Sequence, residues 1–261
     1  MTYKPTPYKI ESMKQYTEDV KLLRVNAGIN PMPGQFFEAS ILGFGECPLA
    51  SCSHDKKHID MLVRNVGNVT GELFNLKKGD SVFIRGPYGH GFPLQELQGK
   101  DLLFVAGGTG IAPVTSMIEY VSQNRKDFGK VEIYFGFRNE KYILLMDRIS
   151  KWKKMFNVSI CLDKHGYVHE VLGKKDLDLS NSMAILCGPE IMMKSVTEVL
   201  NKKGLNNDKI FWSMERRMEC AMGSCGRCLI QDVYTCKDGP VFRYDFIKPR
   251  LENEEASNRV K

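Results

Sequence analysis

From residue 101 onward the chain repeats one order of events: an apolar run of about six residues, a turn, then a stretch with helical spacing of its apolar positions. Apolar runs at 101–106, 130–135, 157–162 and 183–187 alternate with helical stretches at 113–123, 144–153 and 191–203. A helix between two strands carries the chain back to the starting end, so such strands pair in parallel with right-handed crossovers. This rhythm predicts an α/β domain with a parallel sheet over residues 98–210. Residues 1–97 have a different texture. Strand-like runs at 8–12, 20–26, 35–42, 58–64 and 81–85 are separated by Gly, Pro and Asn, which predicts an antiparallel β-barrel. One helical start, GNVTGEL at 67–73, interrupts it. A third texture, rich in Cys, Gly and Met, covers 211–248, and a charged tail expected to fray covers 249–261. The fold class is thus α/β plus all-β with a small C-terminal module.

Bulk properties narrow the function classes. A net charge of +6 in 261 residues, with Lys and Arg scattered, offers no basic stripe for nucleic acid. No apolar run approaches the ~20 residues of a spanning helix, and the first residues lack the apolar core of a secretion signal. A cytoplasmic protein is expected. Eight cysteines in such a chain point to reduced thiols, metal ligands or redox chemistry rather than a disulfide framework.

Four of those cysteines crowd into one segment, Cys220-x4-Cys225-x2-Cys228-x7-Cys236. The C-x4-C-x2-C start followed by a more distant Cys is the spacing of plant-type [2Fe-2S] sites. Gly223 and Gly226 let the backbone approach the sulfurs closely. Arg216, Arg217, Arg227 and Lys237 nearby would favour the electron-loaded, more negative cluster. A four-cysteine zinc site needs the same residues, although zinc ribbons pair two knuckles across a longer gap whereas three ligands here share one loop.

A strand running into GGTGIAP at 107–113 and then a helix suits a phosphate, which would meet free N–H groups at the positive end of that helix. By itself such a turn is a weak signal, and it is not the G-x-G-x-x-G fingerprint. Its weight rises because CGPEIM at 187–192 closes a later strand of the same sheet, and ligands of open α/β sheets gather at the carboxyl ends of the strands.

Together with RGPYG at 85–89, these motifs make nearly the whole chain resemble the ferredoxin–NADP reductase superfamily. The resemblance implies that the N-terminal barrel binds FAD and that Gly107, Gly108, Thr109, Gly110 and Pro113 bind the phosphates of NADH or NADPH, NADH being favoured. It also implies that Cys187, Gly188 and Pro189 lie by the nicotinamide, with Cys187 as a positioning residue. Arg138 would meet the ribose edge or a 2′-phosphate. The segments DMLVRNVGNVT at 60–70, ERRMECAMGSCGRC at 215–228 and VYTCKDGPVF at 233–242 look most like the B subunit of anaerobic sulfite reductase, then the gamma subunit of sulfhydrogenases, and more distantly the electron-transfer subunit of dihydroorotate dehydrogenase.

The flavin half departs from the superfamily pattern. Where an Arg-x-Tyr-Ser strand is usual, this chain has PLASCS at 48–53, with neither Arg nor Tyr. Ala50, Ser51, Cys52 and Ser53 would line the flavin, with Val63 beside them, and Arg64 and the helix start at Val69 and Thr70 would carry the pyrophosphate.

Nicotinamide gives up two electrons as hydride and a [2Fe-2S] cluster accepts one at a time, and flavin joins the two regimes. The expected function is therefore an NAD(P)H-oxidising electron-transfer subunit that feeds a partner through FAD and the cluster. The resemblance implies a sirohaem-containing sulfite reductase subunit as that partner, with a ferredoxin-like iron–sulfur subunit beside it. A sulfhydrogenase or another reductase core is the alternative. A non-enzymatic redox- or nucleotide-sensing module holding zinc or a cluster is a reading of a different class.

Overall fold

The computed structural model describes residues 3–259. The first half is a six-stranded antiparallel sheet built from β1 (Thr6–Gln15), β2 (Val20–Asn26), β3 (Phe36–Ile41), β4 (Gly45–Ala50), β5 (His58–Arg64) and β6 (Ser81–Tyr88), with helix α1 (Asn68–Asn75) before β6. Its spatial order is β4-β3-β6-β1-β2-β5. Alternation sends Phe37 and Ala39, with Leu23, Val25, Ile59, Met61 and Ile84, into one buried core, and α1 caps it with Leu73. The expected closed barrel is corrected: no ladder joins the outermost strands β4 and β5, which meet at one bridge, Ser51 to Met61. β4 itself went unread in the sequence. Cys47 and Pro48 break the period of its residues, and it forms because the tight Leu42-Gly43-Phe44 turn folds it back on β3.

After the short helix α2 (Leu94–Leu97) the chain enters the α/β domain. Strands β7 (Asp101–Gly107), β8 (Val131–Phe137), β9 (Asn157–Leu162), β10 (Ser182–Cys187) and β11 (Ile210–Ser213) are parallel, and helices α3 (Ile111–Gln123), α4 (Met146–Trp152), α5 (Val168–Gly173) and α6 (Glu190–Lys202) connect them. The order is β14-β11-β10-β7-β8-β9, where β14 (Val241–Arg243) returns from the C-terminal region and pairs antiparallel with β11. The cysteine segment is therefore an insertion between two adjacent strands of this sheet. It carries a small hairpin of its own, β12 (Leu229–Ile230) with β13 (Val233–Tyr234).

The segment read as a frayed tail is helix α7 (Tyr244–Arg259) as far as the described residues run. Ile247 and Leu251, four residues apart, are buried against the sheet face that also holds Trp212. Two apolar residues suffice because the sheet supplies the rest of the contact. The two domains share a core, since Val20, Leu22, Cys52 and Leu62 pack with Phe104, Val114 and Leu144. A buried ion cluster fastens the same seam. Arg148 of α4 donates to the Cys52 carbonyl and to Asp60 of β5, and to Glu119 of α3 at 2.9 Å, while Arg24 forks onto Asp60 at 2.6 and 2.7 Å.

Candidate nucleotide cleft and cysteine site

Parallel register brings the two glycine motifs side by side: Ala106 pairs with Cys187 and Gly107 with Gly136. Both turns leave the sheet at its carboxyl end and enter helices. A Cβ on Gly107 would stand 2.6 Å from Met192 Sδ, and one on Gly110 would stand 2.7 Å from the Cys187 carbonyl, so these glycines allow the turns to touch. Gly108 differs. Its φ is +55° and a Cβ there would meet nothing within 4 Å, so its backbone faces open space at the head of α3. The first turn of α3 holds no acidic side chain. This is a cradle that an anionic group fits.

The cradle forms one wall of a 710 Å³ cleft. Gly107, Gly108, Thr109 and Pro189 line it from the α/β domain, and Asp19 and Arg64 from the antiparallel one. Arg138 lies on its wall, next to Tyr142, whose ring it overlies at 5.9 Å. Pro113 is buried within α3 and supports the turn from behind. Cys187 is fully buried behind Gly110 and is not on the cleft wall, whereas Gly188 is half-buried beside it. Burial and then the Glu215 carboxylate push the Cys187 thiol above its ordinary range. Asp19, Tyr167, His169 and Met192 also line the cleft. Only Met192 had a sequence signal, as the last residue of the CGPEIM motif.

The residues expected to hold a flavin divide into two groups. Ser51, Cys52 and Ser53 are buried at the seam, their polar groups spent internally: the Ser51 hydroxyl donates to the Ser53 carbonyl and the Ser53 hydroxyl accepts from Asp60 N–H. Ala50 is half-buried at the end of β4, and Val63 is buried in the sheet core. Arg64 and the start of α1 are exposed. Arg64 pairs with Asp19 at 2.9 Å, and Thr70 caps α1, accepting from Gly67 N–H at 2.9 Å. The first turn of α1 has no acidic residue, so this corner offers a guanidinium and a helix start to a pyrophosphate. Val69 packs beside Gly45.

The cysteine loop packs on the antiparallel sheet at Phe36 of β3 and Tyr88 of β6. Cys228 and Cys236 are buried with Phe36, Tyr88 and Ala221, Cys220 is half-buried and Cys225 is exposed. Backbone N–H groups point at the sulfurs: Met222 and Ser224 donate to Cys220 Sγ at 3.4 Å, and Gly223 to Cys236 Sγ at 3.2 Å. Ala221, Gly223 and Gly226 adopt positive φ to wrap the loop this way. Burial raises the Cys220 thiol, but the Ser224 hydroxyl and these N–H donors outweigh it and bring it down to about 5. Burial, and then the neighbouring Cys228 thiol, raise the Cys236 thiol to about 12. No three candidate ligands among the described residues form a ready metal-holding group. The donor chemistry, four thiols with backbone N–H groups aimed at three of them, the third being Cys228 Sγ, which accepts from Cys236 N–H at 3.5 Å, fits an anionic iron–sulfur cluster.

The chain is similar to known proteins in sequence and in fold. Residues 104–198 match a family described as an oxidoreductase NAD-binding domain, and residues 215–248 match the iron–sulfur cluster binding domain of dihydroorotate dehydrogenase B. The chain is 32% identical to a sulfhydrogenase 2 gamma subunit of Pyrococcus furiosus, covering 93% of this chain and 96% of that one. It is 34% identical to a probable dihydroorotate dehydrogenase B electron-transfer subunit of Methanocaldococcus jannaschii, covering 94% and 92%. In fold it is similar to an NADH-dependent reduced ferredoxin–NADP oxidoreductase, with a TM-score of 0.74 at 22% identity over 97% of this chain and 98% of that one. A ferredoxin–NADP+ reductase of Neisseria gonorrhoeae, with bound FAD and NADP, gives 0.69 at 18% identity over 80% and 98%. By likeness along almost its full length, and with the fold of the ferredoxin–NADP reductases beneath it, the chain belongs to the family of NAD-linked electron-transfer subunits that includes the sulfhydrogenase gamma and dihydroorotate dehydrogenase B proteins.

Proposed function

We propose that this chain oxidises NADH at the cleft and passes the electrons through FAD and a [2Fe-2S] cluster to a catalytic partner subunit. The observation that carries the order is the position of the antiparallel sheet. Arg64 and Asp19 face the nucleotide cleft, while Phe36, Arg85 and Tyr88 carry the cysteine loop. Bound flavin supplies the step from hydride to single electrons. The chain's own residues bind and orient: Gly107 to Gly110 receive the dinucleotide phosphates, and Arg138 meets the adenosine end. Gly188 and Pro189 border the nicotinamide end, and Cys187 acts there by packing under Gly110. Arg64 and the start of α1 hold the flavin pyrophosphate. Cys220, Cys225, Cys228 and Cys236 hold the cluster.

The partner we infer is of the sulfhydrogenase type. Two sulfhydrogenase gamma subunits, at 32% and 36% identity, support this, and the relatives compared give no support to a sulfite reductase partner. Protein purified without oxygen should contain FAD and about two irons per chain, and NADH should bleach the flavin. One zinc and no iron would overturn the cluster. Isolated from its native source with its partners, the complex should couple NADH oxidation to hydrogen evolution, and coupling to sulfite or orotate instead would reassign the partner.

A further inference from the structure

One buried cation ties the antiparallel sheet to the cysteine loop. Arg85, on β6, is 6% exposed and forks onto Glu46 of β4 at 2.8 and 2.5 Å. Its remaining donors go to the Tyr88 hydroxyl at 3.0 Å and to two carbonyls of the loop, Cys220 at 3.0 Å and Glu219 at 3.2 Å. Every donating nitrogen has a partner, two of which are the backbone at and before the first cysteine. Glu38 stands opposite Arg85 on β3 and is fully buried, yet neither of its oxygens has a hydrogen-bond partner. Burial, against the pull of Arg85, pushes it from 4.5 up to about 8, so at neutral pH it is protonated and adds no charge. The charged pair beneath the loop is therefore Arg85 with Glu46, with Arg85 on the cysteine side.

We propose that Arg85 is a positioning residue for the cluster: it holds the Cys220 backbone against the flavin-binding sheet, and its buried charge, set against that of Glu46, keeps the cluster easier to reduce. The inference rests on the cluster assignment above. Reduction adds a negative charge to the four-thiolate centre, and a cation in a poorly solvated position stabilises that charge more than it would in water. The two partners then act with opposite sign. Losing Arg85 leaves Glu46 to repel the added electron, and losing the Glu46 charge leaves Arg85 to attract it.

The test is a potentiometric titration, followed by electron paramagnetic resonance at pH 7, on anaerobically purified protein carrying FAD and iron. Arg85→Gln should favour the oxidised cluster about tenfold, a fall of about 59 mV for a one-electron couple. Glu46→Gln should shift it upward, and Arg85→Lys should recover most of the wild-type value. Flavin bleaching by NADH should be unchanged in all three. A purely structural role would shift both neutral variants the same way, so equal-sign shifts, or none with iron retained, would overturn the proposal. If Arg85→Gln fails to hold iron, Glu46→Gln decides, because the Glu46 side chain is 30% exposed and its neutral form keeps the shape of the pair. Absence of iron from the wild type would instead overturn the cluster assignment.

Discussion

Glu38 sits in an environment that its chemistry disfavours, fully buried with neither carboxyl oxygen hydrogen-bonded. A carboxyl group buried without a partner is stable only when protonated, because removing an unpaired anion from water costs several kcal/mol. Its folded-state pKa is raised, so the protonated form's advantage is complete below the ordinary value of 4.5 and is lost as pH rises towards about 8. Glutamine keeps the shape and does not titrate. Glu38→Gln should therefore match wild type at the acid end and gain on it steadily up to about pH 8, by on the order of a few kcal/mol. Denaturant unfolding of the holoprotein at pH 5.5 and 8.5 measures this, and the same difference at both would mean that Glu38 is already ionised and paired. Nothing in the local sequence FFEAS marks this glutamate as buried. Its burial follows from the cysteine loop, which closes the face that Phe36 and Glu38 share.

At the level of elements, the turn between β7 and α3 divides its glycines between two tasks. Gly107 and Gly110 make room for the neighbouring Cys-Gly-Pro turn, and Gly108 opens toward the cleft. Gly108→Val puts a branched side chain into that opening at a positive φ, so it strains the turn as well as blocking it. NADH reduction of the flavin should fall by at least about tenfold, the effect of losing ~1.4 kcal/mol of binding, while dithionite still reduces it. Stopped-flow absorbance gives the rate, and unchanged NADH kinetics in a folded variant would move the phosphate site elsewhere. The turn was legible in the sequence because it follows an apolar run and precedes helical spacing. Helix α5 was not, since its six residues have too few apolar positions to show a period, and it is held by Val168 and Leu172 packing on the sheet.

On the scale of the whole molecule, the antiparallel sheet lines the cleft with Asp19 and Arg64 and carries the cysteine loop at Phe36, Arg85 and Tyr88, which makes the proposed route of electrons testable. Cys228→Ser, at a buried position beside Tyr88, should remove the cluster and leave FAD bound, because the flavin site proposed at Arg64 and Thr70 is built from other elements. NADH should bleach the flavin in this variant at nearly the wild-type rate, and partner reduction should fall by two orders of magnitude or more. Partner reduction at the wild-type rate, followed by stopped-flow with the partner subunits present, would show that electrons leave from the flavin directly. The same scale separates what could be read from what could not. By itself the sequence determined the order of the two domains, the glycine turns, the cysteine spacing and the family, because each depends on residues within a few positions of one another. Tertiary structure decided the rest: that the antiparallel sheet stays open apart from a single bridge, that β14 makes the cysteine module an insertion in the α/β sheet, that Cys187 lies behind the cleft wall, and that Arg85 reaches the first cysteine. These are contacts between segments up to 135 positions apart, and they are set by strand register and by which face another element covers, neither of which local composition records.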